Sequence, residues 1–595
     1  MLNNFKLLVK NSIFFHLIYF IIIYAFTLSI PKVSLFIFSY SILAVLNQAL
    51  VITLILLLLL TPFIWLNKHI FRGLNALLFG SILLILIIDH TIYNLYRFHI
   101  NGFFINMFFT DFQGFGFSML TLVKISAISL FSLLGCYFVQ PVIAPFIKKK
   151  TTVTLFVLSF IGLFLGQGIH AYSHAHNMSA ILRFTPAIPW YTPLIAIDDL
   201  KKWGLINQHL IEDNLPITGD SSSNFNYPTA PLACSAAGEN TPPNIILIAI
   251  ESWRYDAMSK DITPNIANIA QNGLNFKQHL SAGNVTTKGL FSLFYGISPI
   301  YWNDAKAAQS EPAFISHLRQ LDYDFSILAN QDIERTELKS LFFSQLEAVQ
   351  SHKNNNSLLG DKALVGSFKD FVKQSNKPFF SFLFFNSTHH SYYFPENEEK
   401  PFQPSEEIEM SVLNNQSDPQ VYLNQYFNAA YKIDQYVKQI QDFLIEQNKW
   451  NNSIVIITGD HAEEFNEQKL NYWGHGSNFT KYQLQVPLVI HWPNKQLEVN
   501  YRTSHFDIFS TILKESFGCT NPISDHSSGY SLFDPTARTI IASSYVNNAI
   551  IDKNRVDEMI ASYVSSYHFE DKNLPADDRS ADLLKKSSHI MSQFK

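Results

Sequence analysis

With 595 residues, 48% of them hydrophobic, the chain is too long to bury around one core, and two or three domains are expected. A formal net charge of −5 excludes the basic footprint of a nucleic-acid partner. The apolar residues are unevenly spread: the first 175 positions are rich in Leu, Ile and Phe and poor in acids, and the remainder has an ordinary globular composition.

A helix that crosses a bilayer needs about 20 apolar residues, and five segments qualify, at 13–31, 44–66, 71–93, 123–147 and 152–172. Lys6, Lys10, Lys68, Arg72 and Lys148 to Lys150 fall in alternate connections, whereas the opposite loops hold little beyond Lys32 and Arg97. Basic loops stay cytoplasmic, so an odd number of spans sends everything after Tyr172 to the other face. The first apolar segment lacks a small-residue cleavage site and reads as a signal anchor. The expected location is a bacterial inner membrane, crossed several times, with the large C-terminal part in the periplasm.

Residues 173–243 read as a juxtamembrane segment and linker. His170, His174 and His176 precede Pro186-Ala187-Ile188-Pro189-Trp190-Tyr191-Thr192-Pro193, whose aromatics suit a membrane–water interface. The three histidines could hold a metal or a lipid phosphate, but a solvated stretch is the simpler expectation. A short helix is expected from Asp198 to a glycine stop at Gly204. Residues 215–243 are rich in Ser, Asn, Pro and Gly, as linkers are.

From Asn244 to Phe569 apolar strands alternate with helical patterns, which predicts a mostly parallel sheet covered on both faces. Three continuous apolar runs read as buried strands. Asn244-Ile245-Ile246-Leu247-Ile248-Ala249-Ile250 ends in Glu251, and the run from Pro378 to Phe385 ends in Asn386-Ser387-Thr388-His389-His390. The third, Ile454-Val455-Ile456-Ile457-Thr458-Gly459, ends in Asp460-His461, with Gly474-His475-Gly476 shortly after. Ligands of open α/β sheets sit at the carboxyl ends of strands, and carboxylates beside imidazole make hard-to-borderline metal ligands. One such end is weak evidence; three are strong. Glu251, Asp460 and His461 are the candidate metal ligands.

Between these strands, Ser281-Ala282-Gly283-Asn284-Val285-Thr286-Thr287-Lys288-Gly289 opens an apolar helix. A helix N-terminus favours an attacking alkoxide and a phosphate oxyanion. Threonine is a poor nucleophile until a metal or base activates it, so Thr286 is the candidate nucleophile and fourth ligand. His475 and His389 are candidates to hold substrate oxygens or protonate a leaving group. The competing reading makes Thr286 and Thr287 plain helix caps, worth about 1 kcal/mol. Two carboxylates, one imidazole and one alkoxide do not choose among Mn, Mg and Zn, so the expected cofactor is one divalent ion. Further along, an amphipathic helix is expected over 426–447, with Phe427, Ala430, Ile433, Val437, Ile440 and Leu444 on one stripe, and a polar tail over 570–595. Cys136 lies in the fourth span; Cys234 and Cys519 could pair or be incidental.

On these residues the domain resembles the alkaline phosphatase/sulfatase superfamily, in particular its lipoteichoic acid synthases and phosphoethanolamine transferases. The resemblance implies a five-span α-helical membrane domain over 1–172, followed by an exported α/β catalytic domain over 244–569. It also implies a single-metal site of Glu251, Thr286, Asp460 and His461, with His475 and His389 on the substrate side. No Cys-x-Pro-x-Arg stands near Thr286, so formylglycine sulfatase chemistry is not expected.

A narrower resemblance is to inner-membrane regulators of lipopolysaccharide synthesis within that superfamily. It rests on Ser281-Ala282-Gly283-Asn284 through Leu293-Phe294-Tyr295-Gly296-Ile297-Ser298-Pro299, and on Leu484-Gln485-Val486-Pro487-Leu488-Val489-Ile490-His491-Trp492-Pro493. It implies lipid A, lipopolysaccharide or cardiolipin as ligand and a LapB-like membrane adaptor as partner. Enterobacterial members of that branch look degraded at the Asp-His and strand-end histidine positions, whereas this chain keeps Asp460, His461 and His389. Their basic pair that contacts lipid A corresponds here to Ile197 and Asp198. The implied function is control of the lipopolysaccharide/phospholipid balance by a metalloprotein that retains a phosphatase or phosphotransferase site. One alternative is a phosphoethanolamine or glycerophosphate transferase acting on an envelope glycolipid; the phosphoethanolamine branch usually carries several exported disulfides, where this chain can form one. The other is a non-catalytic lipid sensor.

Overall fold

The computed structural model describes residues 1–28, 30, 32, 34–110, 119–143, 145–147, 149–176, 178–205, 225–235, 242–333, 337–354, 356–395, 397–407, 413–560, 563–580 and 582–595. The chain forms two compact units, broadly residues 1–216 and the rest. Pro31, Lys148 and much of the expected linker, 215–224 and 236–241, lie outside the described residues.

The first unit is helical: α1 (Leu2–Phe26), α2 (Leu35–Leu60), α3 (Lys68–Tyr96), the short α4 (Gly102–Thr110), α5 (Met119–Ile143) and α6 (Lys149–Ala175). Among the described residues five helices, α1, α2, α3, α5 and α6, are long and apolar enough to cross a membrane. The first two begin well before the expected 13 and 44. Polar residues that interrupt the apolar runs there are satisfied inside the unit, so they do not stop the helix. Ahead of 13, Asn4 donates to the Ile64 and Leu66 carbonyls and Asn11 to Gln140 Oε1; ahead of 44, the Ser41 hydroxyl donates to the Phe38 carbonyl. Ser34 caps α2 by accepting from the Ile37 N–H.

The histidine stretch is not the solvated one expected. His170 is fully buried near the end of α6, with Nε2 3.0 Å from Thr185 Oγ1 and Nδ1 3.2 Å from the Leu194 carbonyl. His176 stacks on Tyr172, four residues back on the same helical face. A short helix, Ile197–Lys202, stops before Gly204, whose φ of 69° is the left-handed conformation that glycine tolerates.

The second unit is built on an eight-stranded sheet. Its strands are β1 (Asn244–Ile250), β2 (Leu274–Leu280), β3 (Asp324–Ala329), β4 (Val349–Ser351), β5 (Phe379–Phe385) and β6 (Ser453–Gly459); after a two-residue ribbon of β7 (Glu464–Phe465) and β8 (Trp473–Gly474) come β9 (Leu488–His491) and β10 (Leu497–Ser504). The order is β10-β2-β9-β6-β1-β5-β3-β4, and every pairing but those of β9 is parallel. The central strands β1, β5 and β6 are buried at every position, as continuous apolar runs demand. A second sheet joins β11 (Thr539–Ser543), β12 (Asn548–Asp552), β13 (Arg555–Ile560) and β14 (Tyr563–His568).

Two expectations are corrected in this unit. The amphipathic helix starts earlier than 426, at Pro419, where Asp418 accepts from the Gln420 N–H and proline sets the first turn. Within the expected linker, residues 225–235 run across the unit as a strap. The Asn226 N–H donates to the Phe594 carbonyl, the Thr229 N–H to the Asp525 carbonyl, and Cys234 is disulfide-bonded to Cys519. The polar tail carries the helix Leu583–Ser592, which buries Leu583 and Ile590; Phe594 follows into the core, and the Tyr301 hydroxyl donates to the Ile590 carbonyl. A few apolar residues at helical spacing suffice to dock it.

Candidate active site

β5, β1 and β6 are adjacent, and their register sets Ile250 beside Phe385 on one side and Gly459 on the other. The next residues, Asn386, Glu251 and Asp460, therefore leave the sheet at one level. Parallel pairing is what converts three separate sequence positions into one site.

The chain turns sharply after Glu251. Ser252 has φ 55°, a left-handed conformation that a non-glycine residue holds only where its surroundings fix it. Here the Ser252 N–H donates to Asp460 Oδ1 at 2.9 Å, and its carbonyl accepts from the Tyr426 hydroxyl at 2.9 Å. That hydroxyl in turn accepts from the Arg254 N–H. Arg254 is itself consumed in ion pairs with Asp256 and Glu467 and is a structural group.

Glu251, Asp460 and His461 are fully buried, and a donor atom from each lies within 4.8 Å of the others. His461 Nδ1 is 3.0 Å from the Ala462 carbonyl. A carbonyl only accepts, so Nδ1 carries the proton and the lone pair of Nε2 faces the cluster. Nε2 lies 3.4 Å from both Glu251 Oε1 and Asp460 Oδ2. Asp460 Oδ2 is buried with no hydrogen-bond partner.

The helix Thr286–Tyr295 brings in the fourth group. Its N-cap is Val285, without a side-chain cap bond, so Thr286 and Thr287 are not the caps that the plainer reading made them. The Thr286 hydroxyl instead donates to Glu251 Oε1 at 2.9 Å and lies 3.4 Å from His461 Nε2. Gly289 allows this approach, because a Cβ there would collide with the Asp460 carbonyl oxygen. Ser281 Oγ also donates to that carbonyl, at 2.6 Å.

On the other side, the His475 ring centre lies 4.3 Å from that of His461 and 5.8 Å from that of His389. His475 Nδ1 is 2.7 Å from Glu463 Oε2, and Glu463 Oε1 accepts from the Tyr392 hydroxyl at 2.7 Å. Every candidate residue from the sequence thus falls in one place. Sequence reasoning missed the supports: Glu463, Tyr392, Tyr426, and Gln331, whose amide donates to Glu251 Oε2 at 2.9 Å and to Asn386 Oδ1 at 3.0 Å. Glu463 had a faint signal, standing two residues past His461 in an acidic run; the others had none.

Burial dominates the electrostatics. It pushes the Asp460 carboxyl up, helped by the neighbouring Glu251 charge, to about 8. Burial pushes Glu251 the same way, but His461, with His389 and His475 behind it, wins and holds Glu251 at about 2. Burial lowers His461, and the two carboxylates outweigh it and raise it, so an arriving ion displaces a proton from Nε2 to reach the lone pair. Burial lowers His475 against the pull of Glu463. Two buried carboxylates at such separations repel unless a cation lies between them. An orphaned carboxylate oxygen, a second carboxylate and an imidazole lone pair on one point fit a divalent ion.

Residues 243–515 match the Sulfatase family, and residues 6–234 match a domain of unknown function, DUF3413. Inner membrane protein YejM of Salmonella typhimurium is 23% identical over 496 residues, covering 81% of this chain and 77% of YejM. An uncharacterized protein of Haemophilus influenzae is 24% identical over 504 residues, covering 82% and 78%. Among solved structures, the lipooligosaccharide phosphoethanolamine transferase A (EptA) of Neisseria meningitidis shares the fold with a TM-score of 0.57 at 16% identity, over 88% of this chain and 98% of that one. The Sulfatase match covers 243–515, five helices long and apolar enough to cross a membrane precede it, and over 81% of its length the chain is similar to the inner membrane protein YejM.

Proposed function

We propose that this protein is an inner-membrane metalloprotein that controls the lipopolysaccharide/phospholipid balance and keeps a one-metal phosphatase or phosphotransferase site facing the periplasm. The observation that carries the chemical half is the convergence of Thr286 Oγ1, Glu251 and His461 Nε2 beside the unpartnered Asp460 Oδ2. The regulatory half, with lipid A or cardiolipin as ligand and a LapB-like adaptor as partner, rests on the resemblance to inner-membrane regulators.

In this reading Glu251, Asp460, His461 and Thr286 hold one divalent ion. When bound, such an ion lowers the pKa of an oxygen ligand and offsets charge on a phosphoryl group. The remaining work falls to the chain. Glu251 orients the Thr286 hydroxyl, which attacks phosphorus from a helix N-terminus, where the dipole and the leading amides favour a phosphate oxyanion. His475, its Nδ1–H fixed on Glu463, presents Nε2 to accept a proton from an incoming hydroxyl and return it to a leaving oxygen. Gln331 and the Thr388 hydroxyl, which donates to the Glu251 carbonyl, keep Glu251 in place.

The test pairs turnover with lipid analysis. The purified full-length protein, supplied with Mn, Mg or Zn, should cleave a chromogenic phosphodiester or monoester, and Thr286→Ala should abolish this. Deletion in cells should lower lipopolysaccharide relative to phospholipid, with Thr286→Ala nearly silent. If deletion leaves that ratio unchanged but removes one lipid modification, a transferase acting on an envelope glycolipid replaces this reading.

A further inference from the structure

Away from the candidate active site, Cys234, Cys519 and His317 meet in the globular unit, the two sulfurs and one ring nitrogen of His317 within 4.8 Å of one another. The two cysteines are bonded, joining the strap to the end of the helix Phe506–Phe517. The surroundings of the two sulfurs differ. Cys519 is 6% exposed, whereas Cys234 is half-buried between exposed Ala233 and Ser235. His317 is 8% exposed, and its Nε2 is buried with no hydrogen-bond partner. Leaving a buried imidazole nitrogen unpaired costs stability, and a purely structural position next to Phe517 would be served as well by an apolar residue. Gly518 makes the meeting possible: its φ is 59°, and a Cβ there would collide with Ser235 Oγ.

We propose that Cys234–Cys519 with His317 is a thiol–disulfide exchange site that takes an external dithiol at Cys234. Exchange needs an accessible sulfur to attack and a stabilised leaving sulfur, and the two cysteines divide these tasks. The attacking thiolate forms a bond to Cys234 Sγ as the Cys234–Cys519 bond breaks, and Cys519 leaves as a thiolate. His317 carries to it the proton lost by the attacking thiol. The second thiol of the reductant then displaces Cys234 as a thiol, and the reductant departs as a disulfide, so two electrons and two protons pass to the protein. In the reverse direction His317 takes the proton from Cys519 as it attacks. Opening removes the covalent tie on the strap and leaves it held by hydrogen bonds such as Ala233 N–H to Asn521 Oδ1 and Thr520 N–H to the Ala233 carbonyl.

The experiment uses the full-length protein in detergent with dithiothreitol as the dithiol, trapping freed thiols with a maleimide and locating them by mass spectrometry; buried Cys136 serves as the internal reference. Cys234 and Cys519 should open in the native protein at a rate that does not rise with urea below the unfolding transition. His317→Gln should slow opening about tenfold or more, and added imidazole should restore part of the rate. Opening that occurs only in step with unfolding overturns the proposal on the wild-type protein alone, whether or not the variant folds. An unchanged rate in folded His317→Gln overturns it too.

Discussion

Two buried polar clusters in this molecule are each built around one histidine and differ in closure. In the helical unit, His16 on α1 lies with Nδ1 3.3 Å from Thr53 Oγ1 on α2 and Nε2 2.9 Å from Ser159 Oγ on α6. Thr53 also donates to the Ala49 carbonyl at 2.7 Å, so the hydroxyl keeps a partner within its own helix. In the globular unit, Glu251, Asp460 and His461 crowd two carboxylates against one imidazole and leave Asp460 Oδ2 with no partner. A closed network of neutral groups holds helices together. An open one, with two carboxylates pressed together and one oxygen unbonded, costs stability as it stands and earns it back only when a cation arrives.

This contrast can be broken by substitution. The largest effect should come from Thr286→Ala, which should lower kcat/KM for a phosphoester by about 10³-fold or more, as loss of a nucleophile does elsewhere. Stability should change by no more than about 1 kcal/mol, because Thr286 is not a cap and its loss leaves the helix intact. Thr286→Ser should keep part of the activity, and full turnover by folded, metal-loaded Thr286→Ala would remove the nucleophile assignment.

A smaller loss is expected behind the site. Glu463→Gln keeps the shape but removes the charge that orients His475, and should cost about 10–100-fold in turnover, as groups that support a site residue typically do. Metal content should be unchanged, so parallel loss of metal would mean that Glu463 is itself a ligand. Gly289→Ala tests the geometry of approach. The new methyl meets the Asp460 carbonyl, and the helix must back away, costing about 1–3 kcal/mol in a denaturant titration; wild-type stability with wild-type turnover would mean that the close approach is dispensable.

The smallest functional effect should be in the closed cluster. His16→Leu should leave soluble-substrate turnover unchanged and lower stability by about 1–3 kcal/mol, the cost of unpairing Ser159. If that variant alters turnover, the two clusters are not separable in the way their hydrogen bonding indicates.

The part of the site readable in the sequence was the part that strand ends display. Glu251, Asp460 and His461 close continuous apolar runs, and Thr286 opens an apolar helix after a glycine turn, so each had a local pattern to mark it. The supports had none. Tyr426 lies inside an ordinary amphipathic helix, and Gln331 follows β3 at no recognisable motif; both act through the sheet order β6-β1-β5-β3, which only the fold supplies. The same limit explains the errors. Hydropathy started α1 only at 13, past Asn4 and Asn11, whose partners Ile64, Leu66 and Gln140 lie 60 to 129 positions away. Composition likewise marked 225–235 as linker, although the bond from Cys234 to Cys519 anchors it.

The most direct test of the central claim is the metal content of the purified full-length protein beside that of the Asp460→Asn, His461→Ala double variant. The wild type should carry about one equivalent of a divalent ion, and the double variant, still folded, should carry almost none. Stoichiometric metal retained by the double variant would contradict the account, because the open cluster of Glu251, Asp460 and His461 would then not be where the ion sits.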